Sequence, residues 1–147
     1  MKRISLIAAA LCLSFSTPAF AADNEKSCKM YSKIAGTMVD FMLPLTMQDF
    51  VNMMNGKDPK LLGQMTSGLL AGLDADDIST MVSLGSEAEI AGQAAGDVAM
   101  RMLMSGQATS SSEVQRIMRA DCEDIGFNQI IANQKKANRA TAGNLSK

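Results

Sequence analysis

Two distant cysteines constrain this chain more than any other feature. Cys28 and Cys122 are the only thiols outside the first 21 residues, where the third, Cys12, lies. Those first residues have the make-up of a secretory signal peptide. Lys2 and Arg3 form a basic start, Ile4 to Phe15 an apolar run, and Ala19-Phe20-Ala21 a small-residue cleavage site. The expected mature chain begins at Ala22 in a bacterial periplasm, with secretion as the alternative. The apolar run is too short, and too interrupted by Ser14 and Ser16, to span a bilayer once cleaved. A lipid anchor on Cys12 is disfavoured by bulky Leu11 before it. No second long apolar segment follows, so no stable membrane anchor is expected.

In an oxidising compartment, two cysteines imply one disulfide, and a single chain allows only one pairing. No CxxC motif is present, so the bond is read as a structural staple rather than a redox centre. It would close nearly the whole of residues 22–134, which are expected to form a single domain. In the chain-entropy picture a loop of that length contributes about 4–5 kcal/mol.

Charge is uneven. Eight of the 14 basic residues and all 15 acidic residues lie between Ala22 and Gln134, leaving that body at −7. Lys135, Lys136, Arg139 and Lys147 make residues 135–147 a basic stretch that lacks an apolar pattern and is expected to be disordered. An acidic body does not favour nucleic acid as a partner, because phosphate contacts need clustered Lys and Arg.

Apolar residues recur at helical rather than strand spacing, and helix starts carry their own caps. The first helix is expected over Asn24–Met42, with Cys28, Tyr31, Ala35, Met38, Val39 and Met42 on one face and Pro44 ending it. Thr46 with Asp49 starts a second helix that Asn55-Gly56 stops, and Asp58-Pro59 starts a third with Leu62, Met65, Leu69 and Leu73 as its buried side. Asp74 caps a fourth, ended by Gly85. Ser86 with Glu89 reads as a capping box for a fifth, closed by Gly106. Ser110 with Glu113 repeats the device for a sixth, in which Val114, Ile117, Met118, Cys122 and Ile125 face inward. Gly126 breaks or bends that helix. The expected fold is an all-α compact bundle of about five to six helices, its disulfide tying the first helix to the last long helix.

Much familiar chemistry is missing. With no histidine there is no Ser-His or Cys-His nucleophile and no usual zinc or haem ligand. Neither a P-loop nor a GxGxxG motif occurs, and tryptophan is absent. Paired carboxylates could serve a hydrolase: Asp74, Asp76 and Asp77; Glu87 and Glu89; Asp121, Glu123 and Asp124. The first two sets sit at helix starts, where acids favour the macrodipole, so a structural role explains them better. "DADDISTMVSLG" has neither the sixth-position glycine nor the terminal glutamate of an EF-hand.

Methionine is abundant, with 12 of the 13 lying beyond Met1. "MRMLM" suggests a soft thioether site for copper(I). On a helix, however, Met102 falls with Ala91, Ala94, Ala95 and Val98, while Met100 and Met104 share another side at i, i+4 spacing. Met102 is expected in the core. Met100 and Met104, with Met53 and Met54, are the candidates for a partner-binding or soft-metal surface, core packing being the simpler role for each. No cofactor or resident metal is expected. The functional expectation is an exported, non-catalytic protein that binds another protein, an inhibitor or immunity-type binder being one concrete form. The alternatives are a periplasmic holdase chaperone or copper(I)-binding protein using its methionines and, less favoured, a carboxylate-dependent hydrolase.

Overall fold

A computed structural model describes residues 17–145, with side chains described from Asp23 to Gly143 except that of Met54. Most of the expected signal peptide lies outside the described residues. Among those described, the chain is entirely helical, with seven helices: α1 (Thr17–Met42), α2 (Met47–Met54), α3 (Pro59–Gly72), α4 (Ala75–Leu84), α5 (Ser86–Ser105), α6 (Ser111–Ile125) and α7 (Phe127–Leu145). The count exceeds the expected five to six because Gly126, at φ 88°, separates α6 from α7 outright. Only glycine adopts that backbone region readily. The first helix begins at Thr17, ahead of the expected start at Asn24.

The local code is largely as expected. Thr46 and Asp49 cap α2 reciprocally, Asp74 and Asp77 do the same for α4, and the side chains of Asp58 and Ser110 accept from Leu61 N–H and Glu113 N–H. The Ser86 expectation needs correction. Gly85, at φ 56°, holds the N-cap position of α5 without a side-chain cap, which makes Ser86 the first helical residue. With one residue between α4 and α5, the turn needs the positive φ more than it needs a hydroxyl.

Helix α1 is the axis of the bundle. Met30 and Ile34 are as deeply buried as Cys28, Ala35 and Val39, so α1 buries more than the one face expected from its spacing. It packs mainly against α6 and α5, and also against α3, α4 and α7. Ala91, Ala94, Ala95 and Ala99 give α5 a small-residue face against the core, while Val114, Met118 and Cys122 supply the inner face of α6. The disulfide joins Cys28 to Cys122 with their Cα atoms 5.5 Å apart, across 94 positions of sequence. It ties α1 to a late helix, α6, but not to the last, because α7 follows with 19 residues.

Asp77 is 2% exposed and accepts from Lys33 Nζ, which also donates to Asp74 at 2.6 Å; together they dock α4 on α1. Phe127 N–H donates to Asn24 Oδ1 at 2.7 Å, and its ring meets Tyr31 edge-on at 6.3 Å, seating the start of α7. The stretch expected to be a disordered tail instead continues α7 to Leu145. Polar pairs with α5 hold its middle: Gln134 with Asp97, Lys135 with Glu87 and Asn138 with Gln93. A hydrophobic pattern cannot signal that kind of attachment.

Ile125 and Leu62 are among the apolar expectations that fail. Ile125, expected inward on α6, is 52% exposed beside the Gly126 break. Leu62, expected on the buried side of α3, is 46% exposed, and α3 has no buried residue; of that expected side only Leu73, just past the helix end, is buried. The α2–α3 arm therefore lies against the bundle without being sunk into it.

Candidate functional site

The arm packs on one side of α1, and a groove of about 920 Å³ lies between the arm, α1, α5 and α7. Five methionines line it: Met38 and Met42 from α1, Met53 from α2, Met65 from α3 and Met100 from α5. Phe50 and Leu62 complete the apolar wall on the arm. Met53 is buried, while Met38, Met42, Met65 and Met100 are half-buried, so these side chains are partly packed and partly presented. Unbranched thioethers can change rotamer cheaply, which suits a surface that moulds to its occupant.

The floor of the groove is bare. Gly96 and Gly92 stand one and two turns before Met100 on the same strip of α5. A side chain built at Gly92 would meet nothing within 4 Å, and one at Gly96 would make only ordinary contact with Met38 Sδ at 3.4 Å. The absence of side chains here leaves the α5 backbone accessible from the groove. The opposite rim is polar. Gln93 and Asp97 of α5 face Gln134 and Asn138 of α7, and these four are already hydrogen-bonded across the two helices. Methionines therefore confront amides across the groove, an amphipathic cross-section.

The sequence-predicted sulfurs separate. Met102 is 6% exposed in the core, as expected. Met100 and Met53 line the same groove, but Met104 is 81% exposed and lines a different depression with Val98, Arg101 and Gln107. The side chain of Met54 lies outside the described residues. Met38, Met42 and Met65, read from spacing as core positions, join the groove instead. Their periodicity identified the apolar side of each helix, and no local signal says whether another element covers that side.

Four of the eight carboxylates considered for acid chemistry are engaged locally. Asp74 and Asp77 cap α4 and bind Lys33, Glu87 pairs with Lys135, and Glu123 with Arg119. Lys33, the Asp77 backbone N–H and Lys29 hold the Asp74 carboxyl well below the usual carboxylate range. Glu113 is likewise lowered, first by the backbone N–H and then by the hydroxyl of Thr109. Among the described residues, no group of three His, Cys, Asp or Glu side chains could hold a metal ion, and no helix is long and apolar enough to cross a membrane. No family model matches the chain, and no curated protein or solved structure does either.

Proposed function

We propose that this is an exported, non-catalytic binding protein whose methionine-lined groove receives an amphipathic helical segment of another protein. The single observation that carries the reading is the cross-section of the groove. Five methionines from four helices face a polar α5–α7 rim above a glycine floor. A guest helix would lay its apolar side on the methionines with its backbone close over Gly92 and Gly96, the helix-in-groove mode of recognition. The −7 charge of the body favours a guest whose polar face is basic. An inhibitor or immunity-type partner of another exported protein fits this description.

Titration with a fluorescent Leu/Lys amphipathic helical peptide tests it. Saturable binding at micromolar concentration is expected, together with loss of binding when the leucines become serines. Failure of the leucine peptide to bind would refute the proposal. The same five thioethers favour copper(I) as a second reading, since that ion accepts soft sulfur ligands. Retention of copper(I) on native mass spectrometry, without peptide binding, would select it. Suppression of client aggregation without a preference for helical peptides would instead select the holdase form.

A further inference from the structure

We propose that the open pocket between α1, α5, α6 and α7 binds a small zwitterion with an apolar side chain, an apolar α-amino acid being the simplest, through Tyr31, Arg101 and Asp121. The pocket is distinct from the methionine groove, sharing only Gln134 with it. Its volume of about 330 Å³ suits a small ligand.

Tyr31 supplies the observation that points to a ligand. Its side chain is 97% buried, with the ring edge-on to Phe127. Its hydroxyl has no hydrogen-bond partner among the described residues. Buried phenols normally find one. Yet no described side-chain polar atom is both sealed from solvent and unpartnered, so the hydroxyl opens onto the pocket that Tyr31 lines. Burial pushes the Tyr31 phenol up to about 12, against a smaller opposing effect of Arg101, so it remains a protonated donor at neutral pH.

Three charges act on that donor: Arg101, Asp121 and, more weakly, Asp97, which does not line the pocket. Arg101 and Asp121 both line the pocket, and the charge of each acts on the Tyr31 phenol. Arg101 spends only its Nε on the Asp97 carbonyl, at 3.3 Å, and Asp121 makes no ion pair among the described residues. The rest of the wall is largely apolar, with Val98, Met118 and Ile130 in it. A ligand carboxylate satisfies Arg101 and accepts from Tyr31, a ligand ammonium meets Asp121, and the side chain takes the apolar wall. A simple carboxylic acid would leave Asp121 uncompensated beside its own charge, and a simple amine would do the same with Arg101.

NMR titration and calorimetry of the full chain with L-phenylalanine and L-leucine test the site, using hydrocinnamate and phenethylamine as single-charge probes. The amino acids should bind saturably at millimolar concentration or below and shift the resonances of Ala94, Val98 and Ile130. Tyr31→Phe keeps the ring contact with Phe127 and should weaken binding about five- to tenfold, the loss of one hydrogen bond. Both single-charge probes should bind at least about tenfold more weakly. Absence of saturable shifts, unchanged affinity in Tyr31→Phe, or equal affinity for a single-charge probe would each overturn the proposal.

Discussion

Removing the Cys28–Cys122 bond should be the most damaging pair of small substitutions in the molecule. The bond spans 94 positions and joins α1 to α6, with both sulfurs at 0% exposure. Breaking it restores conformational freedom to the 94-position stretch between the cysteines in the unfolded chain. The chain-entropy relation puts that loop at about 4.7 kcal/mol, within a usual total of ~5–15 kcal/mol. For a folded unit of about 120 residues the unfolding entropy near the midpoint is about 0.25 kcal/mol/K, so the melting temperature should fall by about 15–20 °C. Circular dichroism melts and urea titrations of Cys28→Ala, Cys122→Ala and the double variant measure this. Because all three break the same link, each single variant should lose about as much as the double one. A loss below about 1 kcal/mol in the double variant, or single effects that add, would refute the loop-closure reasoning.

Acid should loosen the docking of α4. The Asp74 carboxyl is depressed in the folded chain, so its contribution is intact above the unfolded carboxylate value of about 3.9 and is lost as pH falls below that. Asp74→Asn should flatten the acid limb of the stability–pH curve, and an unchanged slope would contradict the assignment. Lys33 is raised, first by its bond to Asp74 and then by that to Asp77, so its contribution holds below its ordinary value of 10.5 and disappears only as pH climbs past the folded pKa. In α3, Gly63 and Gly68 have nothing within 4 Å of an added Cβ. Each Gly→Ala change there should raise stability by about 0.5–1 kcal/mol in urea titrations. A loss at either position would reveal a contact that the bare α3 surface does not show.

Helix starts and stops were legible because their causes are local. A side-chain oxygen at Thr46, Asp58, Asp74 or Ser110 reaches a backbone N–H three residues on, and Gly56, Gly106 and Gly126 supply positive φ at helix ends. The disulfide followed from cysteine count alone. The groove was only half legible. Met53 and Met100 were candidates, but their partners Met38, Met42 and Met65 sit at positions equally suited to a core, and Met104 proved to lie elsewhere. What separates core from groove is how far the α2–α3 arm stands off from α1 and α5, a tertiary property that no single helix encodes. The extension of α7 was hidden for the same reason. Gln134, Lys135 and Asn138 hold it through polar partners at Asp97, Glu87 and Gln93, 37 to 48 positions away in sequence.

The central claim is that the groove over Gly92 and Gly96 is a binding surface. Gly92→Phe tests it most directly, because a Cβ there meets nothing within 4 Å and the ring beyond it would occupy the groove that Gly92 lines. The account predicts that Gly92→Phe melts at or above the wild-type temperature and yet loses affinity for the Leu/Lys helical peptide by at least about tenfold. Unchanged peptide affinity in a folded Gly92→Phe protein would contradict it.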